Sequence, residues 1–178
     1  MENIAVLEKM PFIYDDLDHL PEGNYEIIDG ERRDMSPTGF IHGLIESGLA
    51  KLLRDYFGNR GYVVVGEVGV VIKKFPLRVR AADIIYINKA KLQVLPKGML
   101  ETPPDLIIEV ISPDNTLWEM TEKVKDYLSI GVNRVILIDP QAESVSIYQS
   151  GSREISTYSF DEEFQLIDEV KVKIKDII

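Results

Sequence analysis

Two carboxylates stand where strands of this composition should be apolar. Asp83 interrupts the run from Val79 to Ile87, and Glu109 interrupts Leu106-Ile107-Ile108-Glu109-Val110-Ile111. A buried carboxylate is costly unless a cation or hydrogen bonds compensate it. Two such interruptions say more than one, because oxygen ligands from adjacent strands suit Mg²⁺ or Mn²⁺. Carboxylates about 4 Å apart repel by roughly 4 kcal/mol at an effective dielectric of 20, and a bound cation turns that cost into affinity. The competing reading turns each acid outward at a strand end, or pairs it with Arg78 or Arg80.

Other side chains could serve the same centre. Lys123 and Tyr127 are four apart on a predicted helix and so point the same way. A lysine there would orient an attacking water and stabilise charge developing on a phosphate oxygen. Glu119, Glu122 and Asp126 share that helix, so the alternative for Lys123 is a solvated salt-bridge face. Glu26 would join a metal shell or anchor a hairpin. His42 opens a long helix and is a candidate substrate ligand or proton shuttle, or a simple cap. Glu67 is a weaker member of the acidic set, and Trp118 with Leu117 is either core or a partner-facing patch. No phosphate-gripping glycine loop, no zinc-type Cys/His set and no nucleophile elbow is present, so ATPase, zinc-hydrolase and serine-esterase readings rank low and no nucleotide cofactor is expected.

The elements that must position these groups follow from periodicity. Phe12 to Leu20 predicts a short helix, Tyr25 to Ile28 a strand, and Asp29-Gly30 a hairpin turn. Ile41, Ile45, Leu49, Leu52 and Tyr56 recur at helical spacing, which predicts an amphipathic helix from about Phe40 to Phe57. Tyr62 to Val65, Val68 to Ile72 and Val79 to Ile87 read as three successive strands, followed by a long loop from Asn88 to Pro104. The nearly unbroken apolar run around Glu109 predicts a central strand covered on both faces. Ile107, Glu109 and Ile111 share one face, so Glu109 must lie near a sheet end or in a polar pocket. A helix from Leu117 to Ile130, with Gly131 at its end, and a strand from Arg134 to Ile138 complete a crossover unit. Ser144 to Tyr148 with Ile155 to Phe160 looks like an edge hairpin.

Length and charge set the frame. A chain of 178 residues fits one domain spanning 1–178 and buries a sufficient core without disulfides, for which it has no cysteine. No apolar run is long enough for a spanning helix, so no membrane partner is expected. The first ten residues carry Glu2 and Glu8 and no long apolar core, which argues against a signal peptide and for a cytoplasmic address. A net charge of -10 puts a polyanion partner at a disadvantage unless the basic residues are segregated or a metal offsets the site. A concave site rimmed by Arg32, Arg33, Lys73, Lys74 or Arg78 would favour a nuclease, and an acidic rim a non-nucleolytic protein.

The combined order of pieces resembles a bacterial family abundant in cyanobacteria, the putative restriction endonuclease domain proteins, a branch of the PD-(D/E)XK nuclease superfamily. The likeness runs through Leu20-Pro21-Glu22-Gly23-Asn24-Tyr25-Glu26 to Glu31, Met35-Ser36-Pro37 with His42, Arg80-Ala81-Ala82-Asp83, Pro103-Pro104-Asp105 to Pro113, then Lys123, Tyr127, Gly131-Val132 and Ile138-Asp139-Pro140. The resemblance implies an α/β (mixed α+β) fold with a restriction-endonuclease-like core: a mixed central sheet flanked by helices, with N-terminal and C-terminal hairpins. It implies DNA as substrate and Mg²⁺ (or Mn²⁺) held by Asp83, Glu109 and the backbone carbonyl of Val110, with water attacking a phosphodiester in line. Glu26, Tyr127 and His42 then become site residues as well. Two positions depart from the superfamily pattern: Ala82 replaces the proline before the motif aspartate, and apolar Ile111 stands where the motif lysine would be. Lys123 on the next helix is the replacement this family implies. The alternatives are a nuclease-fold protein without useful turnover, acting as a metal-binding module, or a protein-interaction module, and a homodimer is compatible with each.

Overall fold

The structure, a computed structural model, describes residues 10–178; the stretch on which the signal-peptide reading rests lies outside the described residues apart from Met10. An N-terminal hairpin pairs β1 (Tyr25–Ile28) with β2 (Glu31–Asp34). Asp29 and Gly30 turn it with φ of 54° and 85°, the left-handed pair such a turn requires. Gly30 has a second reason to be glycine, since a Cβ there would press on Pro11 and the Phe12 carbonyl. The segment read as a helix from Phe12 to Leu20 is shorter and tighter, a 3₁₀ stretch over Tyr14–His19.

Helix α1 (Phe40–Phe57) has the predicted bounds. Ile45, Leu49, Leu53 and Phe57 repeat every four residues and bury one stripe, and Gly58 closes the helix with a positive φ of 52°. Near its middle, Gly48 lies against the C-terminal tail, where a Cβ would run into Ile177. Gly48→Val should therefore cost about 1–3 kcal/mol through overpacking. Thermal melting checks this, and adding Ile177→Ala to the same chain should restore part of the lost melting temperature.

The two strands predicted between Tyr62 and Ile72 are one. Strand β3 (Gly61–Lys74) runs unbroken beside β4 (Leu77–Asn88), and the residues that read as a break, Gly66 and Glu67, form a bulge with φ of 93° and 56°. A bulge keeps the pairing while bending the strand, which sequence alone reports as a breaker. The loop after β4 holds a single 3₁₀ turn, Lys89–Lys91, and touches the sheet through a bridge between Val70 and Leu100.

Strand β5 (Leu106–Val110), helix α2 (Leu117–Ser129) and strand β6 (Arg134–Asp139) form the predicted crossover, with β5 and β6 parallel. Thr116 and Glu119 cap α2 reciprocally, and Gly131 follows it with φ of 96°. Strands β7 (Ser144–Gln149) and β8 (Ile155–Ser159) make the C-terminal hairpin; Phe160 lies just beyond β8 and is buried in the core. Two short strands not foreseen, β9 (Phe164–Ile167) and β10 (Val170–Val172), pair separately.

The main sheet runs β2-β1-β4-β5-β6-β7-β8, with β3 also on β4. Its β5–β6 pair is parallel and its other strand pairs are antiparallel. Two apolar layers cover the sheet. One joins α1 residues Ile45, Leu49, Leu53 and Phe57 to Ile84, Ile108 and Ile136, and the other joins α2 residues Met120, Val124 and Tyr127 to Ile85, Ile107 and Val135.

Strand pairing around β4 decides where chemistry can happen. Strand β3 occupies one edge of β4 along its length, while on the other edge β1 pairs at Val79 and β5 at Ile84 to Tyr86. A strand has only two edges, so β1 and β5 share one. They leave Arg80 to Asp83 without a strand partner on that side.

Candidate functional site

The gap along β4 is filled by side chains. Glu26, one residue before the β1–β4 pair, accepts the Ala81 amide at 3.1 Å. Tyr127 from α2 places its hydroxyl 3.4 Å from the Ala81 carbonyl. Asp83 accepts the Val110 amide through Oδ2 at 2.7 Å. The Ala81 and Val110 amides beside the gap are thus met by two of the acids singled out from sequence, Glu26 and Asp83, as buried polar groups require.

The β4–β5 register brings Asp83 and Glu109 together. The pairing stops at Ile84 with Ile108, and Asp83 and Glu109 are the next residues along the two strands; Asp83 accepts the amide of Val110, beside Glu109, and both acids line one cavity. Both side chains are buried, and neither pairs with Arg78 or Arg80. That removes the reading in which an arginine neutralises each acid or the acids turn outward to solvent.

Glu109 is held at both oxygens. Lys123 donates to Oε2 at 2.7 Å, and Tyr127 donates to Oε1 at 2.6 Å. The four-residue spacing on α2 delivers both donors to one carboxylate. Lys123 also lies 3.3 Å from Glu26 Oε1, so it is no part of a solvated salt-bridge face. Ile111, at the position of the superfamily lysine, packs into the apolar layer under α2.

His42 is buried in the first turn of α1, with Nε2 at 3.4 Å from Asp83 Oδ2 and Nδ1 without a hydrogen-bond partner. It is therefore no surface cap. One turn on, Glu46 accepts the Gly66 amide at 2.9 Å and pins the β3 bulge. Sequence reading passes over Glu46, although its i, i+4 relation to His42 is an available signal. Glu67, on that bulge, lines the same cavity as Glu26, His42, Asp83, Glu109 and Lys123. Val110 is also at its wall. Trp118 and Leu117, 65% and 83% exposed, are not core and stand free at the start of α2.

The cavity measures about 280 Å³. Of the five basic residues proposed for its rim, Arg33 alone lines it, together with Arg80 and Lys123. Seven acidic side chains face these three basic ones. The site is acidic, as the whole chain is.

Burial dominates its titration. It pushes the Glu109 carboxyl up to about 8; the Lys123 charge pulls against that rise and the Asp83 carboxylate adds to it. Burial opposes the Lys123 charge, but the Glu109, Glu26 and Asp83 carboxylates outweigh it and raise the ammonium above its ordinary value. Lys123 thus stays charged, and Glu109 is the member of the pair that titrates near neutrality. Burial would lower His42, but the hydrogen bond and charge of Asp83, with Glu46 and Glu67 behind them, raise it. Glu46 and Glu67 are both raised, chiefly by burial.

A carboxyl raised on folding makes the folded state bind the extra proton. Without added metal, stability should fall as pH rises from Glu109's ordinary 4.5 to about 8 and level off for this group above that. Melting curves in chelator across that window check the slope, which Glu109→Gln should flatten.

The relationships of the chain follow from the same residues. A protein-family model described as Uma2, putative restriction endonuclease, matches residues 14–173, a span that holds every site residue named above. The chain belongs to the Uma2 family. A solved structure, a putative nuclease belonging to DUF820 from Anabaena variabilis ATCC 29413, superposes with a TM-score of 0.80 at 21% identity, covering 94% of this chain and 97% of its own. At that identity the likeness establishes the fold, the nuclease-like core expected from the sequence. No curated protein matches this Uma2 chain. Among the described residues of this Uma2 protein, no helix is long and apolar enough to cross a membrane.

Proposed function

We propose that this Uma2 protein hydrolyses DNA phosphodiester bonds as a Mg²⁺- or Mn²⁺-dependent endonuclease, with the cytoplasm as its compartment. The observation that carries the reading is Lys123 Nζ at 2.7 Å from Glu109 Oε2, with Glu109 and Asp83 both at the wall of one cavity.

The donor set fits a hard divalent cation. Among the described residues no group of three or more His, Cys, Asp or Glu side chains is gathered as a metal cluster. Mg²⁺ does not need one, since it commonly takes one or two carboxylates and keeps several waters. Asp83 and Glu109, with the Val110 carbonyl, would be its protein ligands. The strain of a buried carboxylate raised to about 8 is the kind a cation relieves. When bound, the ion supplies charge neutralisation at the scissile phosphate.

The chain's own residues do the rest. Tyr127 and Lys123 fix the Glu109 carboxylate from both sides, and the Val110 amide and His42 fix Asp83. Lys123 carries a fixed positive charge at the cavity wall, where it stabilises the oxygen on which charge develops and orients the attacking water. Glu26 holds Lys123 toward that position, and Arg33 offers a charge to the entering phosphate.

A second reading, a nuclease-fold module without turnover, draws on the acidic lining of the cavity. Calorimetry separates the shared premise from the chemistry. The parent should bind Mg²⁺ and Mn²⁺ at a site that Asp83→Ala removes, and it should nick plasmid DNA with either ion but not in chelator. A parent that binds neither ion rejects the metal site, and one that binds but never cleaves supports the second reading.

A further inference from the structure

Two buried charged residues have no part in the chemistry above. Arg80 on β4 and Asp126 on α2 face each other, with Arg80 Nε donating to Asp126 Oδ2 at 2.6 Å. Arg80 Nη1 donates to Glu26 Oε2 at 2.7 Å. Arg78 adds a bond to Asp126 Oδ1 at 2.9 Å and another to Asp29 Oδ2, at the hairpin turn, at 2.7 Å. A continuous line of opposite charges therefore runs from the N-terminal hairpin through α2 and back to Lys123 and Glu109.

Resting on the nuclease reading, we infer that Arg80 and Asp126 are positioning residues: they lock α2 against β1 and β4 so that Lys123 and Tyr127 both reach Glu109. The geometry gives two reasons. Asp126 lies three residues after Lys123 and one before Tyr127, so fixing its carboxylate fixes the rotation and rise of the turn that carries them. The apolar contacts of Met120 and Val124 hold α2 to the sheet, but such contacts are non-directional. Two arginines converging on both oxygens of one carboxylate are directional.

Charge distribution gives the second reason. Glu26 turns one oxygen to Arg80 and the other to the Ala81 amide and Lys123. With Arg80 on Glu26, Lys123 sits nearer Glu109, at 2.7 Å, than Glu26, at 3.3 Å. Without Arg80, Glu26 is a buried carboxylate short of a cation and competes for Lys123. Only a guanidinium, with separate nitrogens in a rigid plane, spans Glu26 and Asp126 at once. Arg80 lines the cavity, yet its charge is committed to these two acids and not to a phosphate.

The test uses Asp126→Asn, which keeps shape and loses charge, and Arg80→Lys, which keeps charge and loses the fork. Three readouts are taken on folded protein: the ¹³Cζ resonance of Tyr127, assigned with Tyr127→Phe; acylation of Lys123 relative to exposed Lys51 and Lys125; and kcat with KM for DNA cleavage. We expect the Tyr127 resonance to move, Lys123 to acylate at least about 10-fold faster, and kcat to fall about 10- to 100-fold with KM within about twofold, as misplacement of about 1 Å does. Parent-like Tyr127 and Lys123 signals in both folded variants overturn the clamp. If one variant fails to fold, the other decides. A parent that does not cleave removes the nuclease reading alone, because the resonance and acylation arms do not need activity.

Discussion

Asp83→Asn and Glu109→Gln should each leave a folded protein that cleaves DNA at least about 100-fold more slowly than the parent. The fold survives because each amide keeps an oxygen acceptor for its main partner. The carboxamide at position 83 still accepts the Val110 amide, and the one at position 109 still accepts from the Lys123 ammonium. What is lost is the negative charge that would hold the cation. If the ion contributes several kcal/mol of charge stabilisation, then at about 1.4 kcal/mol per tenfold its loss costs roughly 10²–10³ in rate. Glu109→Gln leaves its amide room to adapt, because the Tyr127 hydroxyl can accept from the amide nitrogen while the amide oxygen accepts from Lys123. The measurement is initial nicking rate at saturating Mn²⁺ beside a far-ultraviolet spectrum. Full activity in either pure variant would reject the assignment of these acids.

The sequence discloses these two acids because each breaks an apolar run, and burial makes such a break expensive. It discloses the α2 pair because helical spacing is local. The bounds of α1 are legible for the same reason, from a stripe at helical spacing ended by Asn59-Arg60-Gly61, although the residue that closes the helix is Gly58. What it does not disclose is which strands are neighbours. The site exists because β1 and β5 share one edge of β4, and that depends on pairings as distant along the chain as Ile27 with Val79 and Ile84 with Ile108. Hence sequence offers Arg80 as a partner for Asp83 or Glu109, while its actual partners, Glu26 and Asp126, arrive from the preceding hairpin and the following helix.

The other misses have separate causes. Gly66 and Glu67 read as a break because a glycine and a charge interrupt the apolar run, yet a bulge inside a long hairpin uses the same residue types and, as here, the same positive φ as a turn between two strands. Strands β9 and β10, four and three residues long, are too short for an alternating pattern to declare itself. The bulge also matters for function. It puts Glu67 at the cavity wall and offers the Gly66 amide to Glu46, so α1 is tied to the site at His42 and again one turn later.

Lys123→Ala is the variant that separates chemistry from metal binding. Two electrostatic effects of removing the ammonium oppose each other at the cation site. Its loss takes a positive charge away from an incoming divalent ion, which favours binding. It also removes the charge that pulls the Glu109 carboxyl down, so a carboxyl already at about 8 rises further and the ion must displace a proton more often. At pH 8.5 to 9 the second effect is smaller than at neutral pH and offsets the first, so the dissociation constant for Mn²⁺ should stay within about threefold of the parent. No such cancellation applies in the transition state, where a preorganised donor is worth about 10²–10³ in kcat. The expected result is therefore a large fall in single-turnover cleavage rate with metal affinity held. Burial also sets the cost to the fold. Breaking a buried ion pair typically costs about 3–5 kcal/mol when the orphaned charge must remain, but Glu109 can take up a proton near neutral pH, so the loss of stability should be smaller at pH 6 than at pH 9. A variant that loses Mn²⁺ binding in step with its activity would mark Lys123 as part of the scaffold around Glu109 and leave the anion-stabilising role without a residue.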